Sequence, residues 1–224
     1  MPVIHFQDFI TGNTIIETSC FIASMLCLAW DKNIIWRVFP IYLLAMCFTE
    51  LYGIFLRKSH HNNQWPYNFL ILFDAIFINL VFAKLFKYHF KSSRLALVGF
   101  AALLIVYLLE VQNHGFALIF NTRNDLLNNI TNNVMSVIFT LYALIYFYML
   151  LKDERYINLK YSADFWWVAG VLFFYFGSVI IKLFRGLSHS ELPYQIITVL
   201  IWIIYSCWIY SFICRRWLTK ILDS

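Results

Sequence analysis

The sequence predicts an all-α, polytopic membrane protein: a single seven-helix transmembrane bundle over residues 1–224, with the N-terminus out and the C-terminus in. Three observations predict it. The 224 residues are 62% hydrophobic and only 13% charged, more apolar surface than a soluble domain of this length can bury. Seven apolar stretches approach the roughly 20 residues that a helix needs to cross hydrocarbon, at about 14–30, 34–56, 67–87, 94–112, 131–151, 165–184 and 194–214. The basic residues between these stretches fall unevenly on alternate sides.

The first stretch follows Met1 to Asn13, which holds no Lys or Arg, so no cleavable signal peptide is expected and the segment should stay in the mature protein. Its Glu17, Cys20, Ser24 and Cys27 step by three or four and share one helical face. The second stretch carries Glu50 near its end, then a wet loop with Arg57, Lys58, His60 and His61, then Trp65-Pro66-Tyr67-Asn68. The third holds Asp74 and Asn79 and closes near Lys84, while the fourth is blurred at its end by Glu110 to His114. Gly115 to Asn129 is polar enough for a surface loop or a short interfacial helix.

The fifth opens with Asn128 and Asn129 and puts Asn129, Asn132, Asn133, Ser136 and Thr140 on one stripe. The sixth opens with Phe165-Trp166-Trp167 and carries Tyr175, Ser178, Lys182 and Arg185; the seventh carries Gln195, Thr198, Trp202 and Tyr205. About ten residues follow it, so a signal received outside is expected to leave through a partner protein. The five cysteines sit in apolar runs with no C-x-x-C pair, which fits small buried hydrophobes better than disulfides or zinc ligands.

Orientation follows from Lys and Arg in the loops. With the N-terminus outside, the cytoplasmic side holds twelve of the 17: Lys32, Arg37, Lys84, Lys87, Lys91, Arg94, Lys152, Arg155, Lys160, Arg215, Arg216 and Lys220. The opposite side holds the other five: Arg57, Lys58, Arg123, Lys182 and Arg185. In that frame Glu17 and Glu50 lie about 7 Å outside the midplane and Asp74 about 4 Å outside it, with Glu110 near the outer edge.

A polar stripe in lipid has to face other helices or water, and carboxylates in hydrocarbon are costly enough that a chain keeping them usually uses them. Converging stripes would line an outward-opening cavity. Its candidate ligand-binding residues are Glu50, Asp74, Asn132, Lys182, Glu17, Glu110, Arg185 and Tyr205. The acids would engage cationic or hydroxyl groups, and Lys182 and Arg185 an anionic one. Each feature also has a plainer reading. Asn, Ser and Thr at this spacing are ordinary helix-packing glue. Glu17, Glu110, Lys182 and Arg185 are near enough to the surface to be solvated, and Glu50 or Asp74 could form a structural ion pair with Lys182 or Arg185. His60 and His61 fit a solvated loop, and Trp65, Tyr67, Trp166, Trp167 and Trp217 fit an interfacial aromatic belt. Asn129-Ile130-Thr131 matches a glycosylation sequon but abuts a helix.

The seventh segment lacks the mid-membrane Lys of a retinal-type opsin. The sequence contains no G-x-S-x-G, H-E-x-x-H or P-loop motif. It also lacks the Gly/Pro interruptions and two-fold symmetry of many transporters. The short-looped helices, Glu50 late in the second, Asn68 opening the third and Phe165-Trp166-Trp167 opening the sixth resemble small seven-helix membrane proteins of Bacteroidota. Their helical part resembles the membrane-embedded sensor halves of some histidine kinases. That resemblance implies a sensor- or receptor-like protein of the bacterial inner membrane; the absent kinase domain is the main departure.

The leading expectation is therefore a membrane-embedded sensor that binds a small polar or amphipathic ligand and signals through a partner. The expected partners are membrane lipids, that ligand and a protein, with no nucleic acid, metal or cofactor. An alternative is an intramembrane lipid hydrolase, similar in logic to the multi-helix lysoplasmalogenases, in which paired carboxylates share a proton. A third is a proton- or cation-coupled transporter, disfavoured by the shortage of polar residues in the inner half.

Overall fold

The computed structural model describes residues 6–115, 129–152, 158–185 and 192–223. Residues 116–128, expected to form a loop or interfacial helix, lie outside the described residues. Among the described residues a short 3-10 turn at Phe6–Phe9 precedes seven α-helices: α1 Gly12–Leu28, α2 Ile34–Lys58, α3 Gln64–Phe90, α4 Arg94–His114, α5 Asn129–Lys152, α6 Ala163–Arg185 and α7 Leu192–Asp223. Among the described residues six of these, α2 to α7, are long and apolar enough to cross a membrane. α1 is also apolar but has 17 residues, about 26 Å of rise against a core of about 30 Å. The architecture is that of a multi-pass membrane protein. Side chains such as Leu26, Ile41, Leu97 and Leu183 are more than half exposed, as lipid-facing positions should be.

Packing divides the chain into two compact units, Met1–Ile15 with Leu44–Met135, and Ile16–Leu43 with Ser136–Ser224. In the first unit, α2 ends in a Schellman motif. The His61 N–H donates to the Leu56 carbonyl at 2.9 Å and the His60 N–H to the Arg57 carbonyl at 3.2 Å. His60 supplies the left-handed residue at φ 55°, a position that usually takes glycine. α3 likewise ends on a left-handed Lys91 before α4, and Tyr107 and Val111 of α4 pack with Leu72 of α3.

In the second unit, α6 and α7 lie against each other. Ser211 Oγ donates to the Ala163 carbonyl at 2.7 Å, and Trp208 Nε1 to the Trp167 carbonyl at 3.3 Å. The core here is aromatic. Phe39 of α2 meets Trp36, Tyr42, Trp167, Trp208 and Phe212 at ring separations between 5.2 and 6.5 Å, and the Trp167 and Trp208 planes stack 6.1 Å apart at 13°. Trp167 is 1% exposed, which corrects its assignment to an interfacial belt: its residue sits one turn inside α6 on the face that meets α7. Trp217 stays exposed and stacks on Tyr161. Pro40 lies inside α2 without ending it. Cys20 and Cys214 are buried, Cys27, Cys47 and Cys207 half-buried, and all five are free thiols.

Candidate functional site

The expected site residues fall into both units, and each group stands on its own. Glu50, Asp74, Glu110 and Asn132 belong to the first unit; Glu17, Lys182, Arg185 and Tyr205 belong to the second.

In the first unit Glu50 sits on the last turns of α2 and is half-buried. The Tyr67 hydroxyl, on the opening turn of α3, donates to Glu50 Oε2 at 2.7 Å, a charge-assisted bond when the carboxylate is ionised. Gly53 makes this possible: a Cβ there would stand 2.5 Å from the Tyr67 hydroxyl oxygen. Tyr67 is thus a partner of Glu50. A hairpin of two antiparallel helices brings residues equidistant from its loop together, and that pairing was the available signal.

In the same hairpin, the turn before α3 and its first residues hold three buried polar atoms with no hydrogen-bond partner among the described residues: Asn62 Nδ2, Gln64 Oε1 and Trp65 Nε1. Asn62 Oδ1 is occupied, accepting from the Gln64 N–H at 2.8 Å. The Trp65 ring is fixed edge-on against Tyr52 at 5.8 Å. The first chain segment is tied to the same end of α2, where Lys58 Nζ donates to Asp8 Oδ1 at 2.7 Å. Two donors, one acceptor and a carboxylate therefore gather at the α2–α3 hairpin, among aromatic rings.

Glu110, expected near the outer edge and open to solvation, is 4% exposed. It caps the start of α5: Oε1 accepts the Ile130 N–H at 3.0 Å, and Oε2 accepts the Thr131 N–H at 2.8 Å and the Thr131 hydroxyl at 2.7 Å. The first amides of a helix have no partner within it, and a carboxylate also meets the positive end of the helix dipole. The same bonds engage the Thr of the Asn129-Ile130-Thr131 tripeptide. Asp74 and Asn132 are half-buried.

In the second unit the Tyr205 hydroxyl donates to Glu17 Oε1 at 3.4 Å, both side chains being buried. Lys182 Nζ donates to Ser136 Oγ at 3.3 Å. Of the stripes, Cys20, Ser24 and Tyr175 face inward, but Gln195 and Trp202 are exposed. The Arg185 backbone closes α6, and its side chain lies outside the described residues. Sequence reasoning passed over Asp31, in the α1–α2 turn and 5% exposed. Its Oδ2 accepts from Arg215 Nε at 2.8 Å and its Oδ1 from Arg215 Nη2 at 3.2 Å, while Arg215 lies 5.7 Å from the Trp36 ring centre. Among the described residues no three His, Cys, Asp or Glu side chains could share a metal ion.

No protein-family model, curated protein or solved structure matches the chain.

Proposed function

We propose that the chain is a seven-helix, receptor- or sensor-like protein of the bacterial inner membrane, N-terminus out, which binds a small polar ligand at the α2–α3 hairpin and passes occupancy to a partner protein. The observation that carries this reading is the trio Asn62 Nδ2, Gln64 Oε1 and Trp65 Nε1, buried without partners among the described residues in the hairpin that also holds the Glu50–Tyr67 bond. Buried polar groups are nearly always satisfied, because leaving one unpaired forfeits the water it had in the unfolded chain. A ligand carrying both acceptors and donors completes all three, and Glu50 adds a partner for a cationic or hydroxyl group. The basic residues crowded at the other ends of these helices support the outside assignment of this hairpin, and α1 makes the seventh crossing.

Native mass spectrometry of the detergent-purified protein tests the binding. The wild type should retain a small molecule that Glu50→Gln and Trp65→Phe both lose while unfolding at an unchanged temperature. Retention of the same mass by both variants, or none by a folded wild type, would sink the reading. Reporter fusions at the two termini, read for periplasmic and cytoplasmic activity, test the orientation.

A further inference from the structure

Asn79 follows closely on Ile76, the middle of the apolar stretch Gln64–Tyr88 of α3, and lies about 4.5 Å along the helix from that middle. Its side chain is 4% exposed. Its Nδ2 donates to the Ala75 carbonyl at 2.6 Å, which turns that end of the amide onto its own helix and leaves Oδ1 facing away from it. That Oδ1 is buried and accepts no hydrogen bond among the described residues. Asn79 lines a cavity of about 170 Å³ between α3 and α4, with Ile76, Leu80, Ala83, Leu97 and Phe100 among its walls.

Size, charge and access each narrow what the cavity takes. An apolar cavity of about 150 Å³ holds one benzene ring, so this one has the volume of a single ring with a small substituent. No described wall residue carries a charge, and no Asp or Glu occurs between Ala75 and Leu109, which selects a neutral occupant. Water suits the place poorly, since it asks for two to four polar partners, and beyond Asn79 the walls add only Ser93, exposed just before α4. A hydrocarbon chain would fill the space but leave Oδ1 unpaired. Leu80 and Leu97 are 56% and 68% exposed, so both can swing outward. Entry is then sideways from the hydrocarbon, and a tail on the occupant can stay outside.

We infer that the α3–α4 cavity binds the ring of a neutral, hydrocarbon-soluble phenol, whose hydroxyl donates to Asn79 Oδ1. The ring matches the volume and packs against Phe100, and the hydroxyl supplies the donor that the buried amide oxygen lacks. A molecule with no charged head is free to enter the hydrocarbon at this depth, where head-bearing lipids present only their chains. The cavity is separate from the unpaired trio of the α2–α3 hairpin, so it stands whether or not a polar ligand binds there.

The test is photolabelling of the purified full chain in lipid nanodiscs. The probe is a phenol with a trifluoromethyl-diazirine para to its hydroxyl, run beside the same reagent with methyl in place of hydroxyl at equal concentration in the membrane. The phenol should label the wild type around Leu80 and Leu97 about five-fold more than the methyl reagent does, the worth of one net hydrogen bond. Asn79→Leu, close in size but without the acceptor, should label equally with both. Ala83→Leu, which fills the cavity from a half-buried position, should lose the label of either. Excess p-cresol, or excess of a hydroquinone with an isoprenoid tail, should suppress the wild-type label, and the stronger competitor shows whether free or tailed phenols are taken. Equal labelling of the wild type by the two reagents overturns the inference and leaves the cavity as space for lipid chains. So does a preference that survives Asn79→Leu, a label that survives Ala83→Leu, or failure of both competitors. The wild-type comparison and Ala83→Leu keep the test decisive should Asn79→Leu fail to fold.

Discussion

Arg215 grips Asp31 through a two-pronged bond, Nε to Oδ2 at 2.8 Å and Nη2 to Oδ1 at 3.2 Å, and so fastens α7 to the α1–α2 turn within one unit. The Asp31 side chain is 1% exposed and that of Arg215 26%. The Asn33 N–H also donates to Asp31 Oδ1 at 2.7 Å, so the carboxylate organises the turn as well as the ion pair. Removing one partner strands the other.

Asp31→Asn should lower stability by roughly 2–3 kcal/mol, below the full cost of breaking a buried pair because Arg215 keeps part of its surface in water. Arg215→Lys keeps the charge but not the fork, and should recover less than half of the loss seen for Arg215→Ala. Thermal unfolding in detergent, run as a double-mutant cycle with Asp31→Ala, measures the coupling. Strict additivity of the two alanine variants would show that the bond does not contribute.

Glu110→Ala should cost about 2 kcal/mol and Glu110→Gln about 1 kcal/mol, since glutamine keeps one acceptor and loses the charge at the helix start. Amide exchange at Ile130 and Thr131 should rise in both variants and stay unchanged in the middle of α5. Thr131→Val should reproduce part of the same local loss.

His60→Gly and Lys91→Gly should each raise stability by about 0.5–1 kcal/mol, because both residues hold left-handed backbone at φ 55° that glycine adopts without steric cost. His60→Val should do the reverse. A metal-binding role for His60 would instead appear as a loss of stabilisation by added zinc in the glycine variant.

The glycines of α6 separate rigid from yielding contacts. A Cβ on Gly170 would meet the Ile204 carbonyl oxygen at 3.2 Å and Cys207 Cβ at 3.0 Å, whereas one on Gly177 would meet the Leu200 methyls at 2.6 and 2.8 Å. Gly170→Ala should therefore cost about 1–3 kcal/mol with no rescue from a single partner change. The Gly177→Ala loss should be largely restored by Leu200→Ala. Unfolding temperatures of the four proteins decide it.

Gly53→Ala should break the Tyr67–Glu50 bond by displacing the phenol, and Tyr67→Phe should break it by deletion. Both should abolish small-molecule retention at the α2–α3 hairpin while leaving the far end of α3 intact. Survival of retention in either variant would separate the bond from binding.

The helices were legible because lipid imposes length and hydropathy on every crossing, and α2, α3 and α5 start and stop within a few residues of the apolar runs that signal them. The carboxylates were legible as costly. Their roles were not, because a carboxylate's role is set by what the fold brings to it. Glu110 meets amides from a helix twenty residues further on, and Glu50 meets a phenol that composition alone places at the lipid interface. Asp31 escaped notice since a loop acid next to Lys32 looks solvated until Arg215, 184 positions later, is brought to it. Asn79 was visible as a residue, but the unpaired state of its Oδ1 exists only in three dimensions.

The parallel indoles of Trp167 and Trp208 have an optical consequence. Two indoles with ring centres 6.1 Å apart and planes 13° from parallel are held in a fixed chiral setting, and aromatic side chains so held contribute to the near-ultraviolet circular dichroism. Separation of α6 from α7 would weaken that signal while the far-ultraviolet helical signal persisted. The protein thus carries an unlabelled spectroscopic gauge of one helix pair, able to tell loosened packing from lost helix in the same sample.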